Sequence, residues 1–199
     1  MSQALEEHRA TLLRAAPVLA DTLDACVADA ARQLSPAALT AWLEGAATLA
    51  RLGRGAEPVL ACIEALPKVA RECGEAAIGS ALGAALRLAS LTSGSVLALL
   101  LSGLPAAAAR IGDAAMLEAY LQLVHRLASR APRGLRPMLT HAETLLGRLS
   151  LSGLQRWVEF GIEAYRQDAD GQARYFALET DDSRAVLKRE RRGTLFIDQ

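Results

Sequence analysis

The stretch that decides the fold occurs twice, as LPKVARECGEAAI at residues 66–78 and as LPAAAARIGDAAM at residues 104–116. Both copies share a Leu-Pro pair, an Ala-rich run, a glycine followed by an acid, and Ala-Ala before an apolar residue. Pro67 and Pro105 are 38 positions apart. A wider match lies further out: LSPAALTAWLEGA at residues 34–46 aligns with LSLSGLQRWVEFG at residues 149–161. It pairs Leu34/Leu149, Ser35/Ser150, Leu39/Leu154, Trp42/Trp157 and Glu44/Glu159 at a spacing of 115, about three units of 38. The register continues through Leu60/Tyr175 and Ile63/Leu178 to Glu64/Glu179.

Each unit reads as two helices followed by a short Leu-Pro turn, with proline tolerated where a first-turn residue needs no N–H partner. First helices are expected near residues 36–52, 75–91, 113–130 and 151–167, and second helices near 55–66, 94–103, 132–147 and 170–179. Ser35 before Pro36 is an N-cap signal, and Asp113 and Asp170 lie where helix N-termini favour anions. Gly53, Gly94, Gly134 and Gly147 read as stops. Helix pairs with such a period cannot bury their apolar faces alone, so they stack on their neighbours. The expected fold is all-α, a HEAT- or TPR-like α-solenoid without significant sheet; a compact helical bundle is the alternative. Residues 1–34 read as an N-terminal helical cap, 35–180 as four helix-pair repeats, and 181–199 as a C-terminal helix and tail that break the pattern.

The composition agrees with stacked helices. The 199-residue chain is 52% hydrophobic but only 4% aromatic, and Ala and Leu, the best helix formers, supply most of the apolar count. Small residues such as Ala84, Ala85 and the run at 106–109 permit close crossings, while Trp42, Trp157, Leu39, Leu154, Tyr175 and Phe176 are the expected repeat core. With 22 basic and 22 acidic residues the net charge is zero, which argues against a surface built throughout for nucleic acid. Residues 119–142 contain Arg126, Arg130, Arg133 and Arg136, with His125 and His141, and no acid at all. Arg126, Arg130, Arg133 and Arg136 therefore form a candidate basic patch, the basis of an alternative reading as a helical-repeat nucleic-acid-binding protein. The run Lys188, Arg189, Arg191, Arg192 is interrupted by Glu190 and reads as solvated surface or a partner-docking arm.

Chemistry is sparse. The glycines are scattered rather than clustered after a strand, so P-loop and Rossmann readings fail. His8, His125 and His141 lack ligand-like spacing, and Glu44 and Glu159 recur as equivalents in different repeats rather than as a catalytic pair. No catalytic, cofactor-binding or metal-binding residue is assigned, no cofactor is expected, and the chain reads as non-enzymatic. Cys26, Cys62 and Cys73 form no C-x-x-C pair and read as reduced and buried, hence cytoplasmic. Glu6 and Glu7 stand where a signal peptide would be basic. Residues 96–109, the most apolar stretch, are interrupted by Ser102, Gly103 and Pro105 and read as a soluble core segment, with no membrane span.

From Leu149 onward the sequence resembles the helical N-terminal region of bacterial proteins that carry a C-terminal von Willebrand factor A domain and act with MoxR-type AAA+ ATPases, the NorD/CbbO-like group. The matching elements are L-x-x-W-x-E-x-G (Leu154, Trp157, Glu159, Gly161), A-R-Y-F-A-L-E (Ala173 to Glu179), Ser183, and R-G-T-L-F (Arg192 to Phe196). The block at residues 104–134 is similar to the same region. The resemblance implies an adaptor whose partners are a MoxR-type AAA+ ATPase and its target enzyme, the A domain binding a metal through D-x-S-x-S. That motif is missing here, since Asp181-Asp182-Ser183-Arg184-Ala185 lacks the second serine, so no metal ligand carries over. The chain reads as the solenoid part of something longer.

Overall fold

The computed structural model describes residues 3–191, with side chains described for residues 6–188. Every element among them is helical, and no strand is present there. The chain divides into two compact units, Met1–Leu121 and Gln122–Gln199. In the first, α1 (Gln3–Ala15), a 3-10 turn (Pro17–Leu19) and α2 (Ala20–Ala30) precede α3 (Pro36–Arg51), α4 (Ala56–Cys73), α5 (Ala76–Ala89) and α6 (Gly94–Ile111). The division falls within α7 (Ala114–Arg130). The second unit continues with α8 (Pro132–Thr140), α9 (Ala142–Leu146), α10 (Leu151–Ala164), α11 (Ala169–Phe176) and α12 (Asp181–Arg191).

Helix starts recur along the chain. The first residues of α4, α6, α8 and α11 are Ala56, Gly94, Pro132 and Ala169, and those of α3, α5, α7 and α10 are Pro36, Ala76, Ala114 and Leu151. Successive members of each series are thus separated by close to the 38 positions between the two Leu-Pro pairs. The same chemistry marks several starts: the side chains of Ser35, Ser93, Ser150 and Asp168 accept from the backbone N–H three residues on, at 3.3, 3.4, 3.1 and 2.8 Å. Asp113 does so for Met116 at 2.8 Å. Each cap satisfies one of the N–H groups that a helix start leaves without an intrahelical partner.

Packing in the first unit follows alternate helices. α3 packs on α1 and α5, and α4 packs on α6 as well as on α3 and α5. The core between them is small-residue and aliphatic: Ala46, Ala47, Ala84 and Ala85 are fully buried beside Leu43, Leu66, Leu88 and Leu101. Trp42 is fully buried, its indole N–H donating to the Cys62 carbonyl at 3.5 Å. In the second unit α11 packs on α8, α10 and α12.

The expected Leu-Pro turns are not turns. α4 runs through Pro67 to Cys73 and α6 runs through Pro105 to Ile111, so both second helices are longer than the sequence suggested. Each proline deprives its helix of one N–H and crowds the carbonyl four residues back, which bends a helix without necessarily ending it when tertiary packing holds both arms. The stops are the repeated glycines: Gly74 has φ +84° and Gly112 φ +68°, a backbone region in which glycine carries no Cβ penalty. Two other assignments also change. Gly94 starts α6 rather than ending a helix, and Gly134 is buried inside α8. The helix expected over 132–147 is broken at His141 into α8 and α9.

α6 is, among the described residues, the one helix long and apolar enough to cross a membrane, judged by length and composition. Leu97, Leu100, Leu101 and Leu104 are buried, and the helix packs along α4. Of the cysteines only Cys62 is fully buried; Cys26 and Cys73 are half-buried, and all three are free thiols.

Candidate functional site

The residues that the sequence singled out in its second half converge on α10. Ser150 caps this helix, and 3.6-residue periodicity then divides it into two stripes. Leu154, Trp157, Val158 and Ile162 face the core, whereas Arg156 is exposed and Phe160 keeps 49% of its surface exposed. α11 supplies Tyr175 and Phe176, both fully buried. Trp157 stacks on Tyr175 at 5.0 Å between ring centroids and meets Phe176 edge-on at 5.3 Å. Phe160 and Tyr165 lie 5.8 and 5.6 Å from Tyr175. Five of the chain's eight aromatic residues thus form one cluster, with edge-to-face and offset geometries that aromatic pairs favour.

Two glycines make this density possible. A Cβ on Gly161 would meet the rings of Tyr175 and Phe176, and a Cβ on Gly134 would run into Phe176 from α8. The polar ends of the rings are handled unequally. Tyr175 donates its hydroxyl to the Trp157 carbonyl at 2.9 Å, and Tyr165 donates to Asp182 Oδ2 at 3.0 Å. Burial, with the Asp182 charge second, raises the Tyr175 hydroxyl pKa above the usual phenol range, so it stays a donor. Among the described residues the buried Trp157 indole N–H has no hydrogen-bond partner, unlike its counterpart at Trp42. Leu154 is fully buried while its equivalent Leu39 is half-buried, so the two copies of the motif are used differently.

Against this cluster lies a half-open cavity of about 330 Å³. Arg156, Trp157 and Phe160 line it from α10, Tyr175 from α11, and Asp182 and Val186 from α12. Its volume is at the lower end for small-molecule or side-chain pockets, and its walls are aromatic and aliphatic with one cation and one carboxylate at the margin. Such a lining can hold an apolar side chain or ring. A second groove, of about 490 Å³, runs between α2 and α4, with Cys26, Asp29, Glu64 and Lys68 in its walls.

The arginine cluster has a different fate from the one its sequence context suggests. Arg126 and Arg130 from α7 both reach Glu159 of α10, Arg130 at 3.5 Å. Arg130 also pairs with Glu163 at 2.9 Å, and Arg133 pairs with Asp170 at 2.8 Å. The stretch without acids along the chain is therefore supplied with acids in space, from α10 and α11. Arg136 is exposed and has no such partner among the described residues. A phosphate would have to compete with three carboxylates for three of the four cations, which weakens the case for counterion-driven binding. Glu44, the equivalent of Glu159, is exposed and forms no ion pair among the described residues.

None of the three cysteines is activated as a nucleophile. Burial raises the thiols of Cys26 and Cys73, and carries Cys62 to about 12, the reverse of the depressed pKa that a nucleophilic cysteine needs. Among the described residues there is no group of three or more His, Cys, Asp or Glu that could hold a metal ion. His125 sits half-buried on α7 and His141 at the break between α8 and α9.

The sequence reading named Trp157, Tyr175 and Phe176 but missed Phe160, Tyr165 and Asp182. Phe160 was detectable, because it follows Arg156 by four and so lies beside that exposed residue on α10. Comparison of the chain with known protein families, curated proteins and solved structures returned no match.

Proposed function

We propose that the chain is a non-enzymatic protein-interaction scaffold in which helix pairs stack within each unit as in an α-solenoid, with a period of about 38 residues. One observation carries the reading: four polar contacts between helices join residues about one period apart. Ser35 bonds Glu75, Ser80 bonds Glu118, Arg130 pairs with Glu163, and Arg133 with Asp170, at separations of 40, 38, 33 and 37. In stacked repeats each unit touches its neighbour at equivalent points, which is the pattern such spacing produces.

On this reading the scaffold is cytoplasmic and resembles the helical region of a von Willebrand factor A adaptor that works with a MoxR-type AAA+ ATPase to activate or remodel a target enzyme. The residues that carry the resemblance support a structural part for it: Trp157 and Leu154 fill the core, Glu159 anchors two arginines, and Gly161 admits Tyr175 and Phe176. The test is retention of a MoxR-type ATPase or its substrate enzyme by the purified chain at micromolar concentration. Retention of neither removes the adaptor reading and leaves the helical scaffold alone.

A further inference from the structure

We propose that the cavity between α10 and α12 binds a neutral aryl carbonyl compound, its ring laid against Phe160 and its oxygen accepting from the Trp157 indole N–H. Two independent observations meet there. The first is the donor: among the described residues, Trp157 Nε1 is the one buried side-chain nitrogen or oxygen without a hydrogen-bond partner. Buried donors are ordinarily paired, because an unpaired one gives up its hydration with nothing in return. The second is the space. Trp157 is 2% exposed and is itself a wall of the half-open cavity of about 330 Å³, so the cavity is where its ring meets anything from outside.

The walls define the ligand. Phe160 keeps 49% of its surface exposed and lies 5.8 Å from Tyr175, so a flat ring entering the cavity finds an aromatic side chain to cover. The Tyr175 hydroxyl is engaged by the Trp157 carbonyl at 2.9 Å, Asp182 accepts from Tyr165 at 3.0 Å, and Arg156 has an interaction of its own. The indole N–H is the polar side-chain group of the walls that none of these bonds uses, and it donates only, so its complement is an acceptor. A carbonyl oxygen fits because it brings no donor that would need a partner in turn. A carboxylate would instead carry its charge into an aromatic enclosure beside the Asp182 carboxylate. The volume is that of a small-molecule site.

The proposal is independent of the adaptor reading, because it concerns one cavity of the second unit and no protein partner. It is tested on the 199-residue protein by NMR of the two indole N–H groups, assigned through Trp42→Phe. The titrants are acetophenone and α-methylstyrene, which has the same shape with a methylene group in place of the oxygen. Acetophenone should move the Trp157 indole proton downfield and leave that of Trp42 in place, and α-methylstyrene should produce no such downfield movement. With binding followed at the Val186 methyls, Trp157→Phe should weaken acetophenone about fivefold to tenfold more than α-methylstyrene, the loss of one hydrogen bond beyond the change in shape. Phe160→Ala should weaken both. A Trp157 indole line that acetophenone leaves in place up to its solubility limit overturns the proposal, whether or not the variants fold. So does the same indole movement with both compounds, and so do equal losses in Trp157→Phe, either of which would make the cavity an apolar recess without an acceptor site.

Discussion

Glu75 accepts both the backbone N–H and the hydroxyl of Ser35, each at 2.6 Å, across 40 residues of chain. Ser35 caps α3 through Ala38, while Glu75 precedes the first residue of α5. In a capping box a glutamate three residues into the helix would reach back to the cap's own N–H. Here that position is Ala38, and the acid of the following helix pair takes the role.

A pH dependence follows from this bond. The two Ser35 contacts hold the Glu75 carboxyl below its ordinary range. A depressed acid stabilises the fold above its unfolded-state pKa, and the contribution disappears as pH falls through the folded-state pKa. Acid titration of stability should therefore be steeper for the wild type than for Glu75→Gln across the low end of the carboxylate range. Identical titrations would show that the bond does not matter for folding.

The two tryptophans are equivalent in register but not in bonding. Truncation of either to alanine should cost about 3–5 kcal/mol in urea unfolding, as for other buried aromatics. Replacement by phenylalanine separates them. Trp42→Phe gives up a donor bond to Cys62, whereas Trp157→Phe removes an N–H that has no acceptor. The first should be the costlier by about 0.5–1 kcal/mol.

Gly134→Ala should destabilise the second unit by about 1–3 kcal/mol, because the added methyl enters space held by the Phe176 ring. Thermal unfolding of the single variant and of Gly134→Ala with Phe176→Leu should show partial rescue in the pair. A neutral single variant would mean that α8 and α11 do not approach so closely.

Glu159 joins Arg126 and Arg130 at a partly exposed position. Exposed pairs contribute about 0.2–1 kcal/mol each, so Glu159→Gln should lose no more than about 2 kcal/mol at low salt. Most of that difference should vanish near 1 M salt, where the screening length falls to about 3 Å. A loss insensitive to salt would indicate packing rather than charge.

The helical class was legible because Ala and Leu, the best helix formers, dominate the apolar residues. Helix starts were legible too, through Ser35, Ser150 and Asp113. The interruptions were misread. Pro67 and Pro105 resemble turn residues in sequence, yet apolar packing on both sides keeps α4 and α6 continuous. Gly134 resembles a stop, but its lack of a side chain serves Phe176, which lies 42 positions later and is invisible to local reading. The ion pairs of the arginine cluster were out of reach of local reading for the same reason, since Glu159, Glu163 and Asp170 lie 29 to 37 positions further along the chain.

The short separation of these cross-helix partners has a kinetic meaning. None of the bonds described above joins residues more than 40 positions apart. The chain closes only short loops to form them, so each contact is entropically cheap and can nucleate without waiting for distant segments. On the proposed stacking of helix pairs, folding of either unit should begin at any adjacent pair and spread outward, and opening should start at its terminal helices and advance inward.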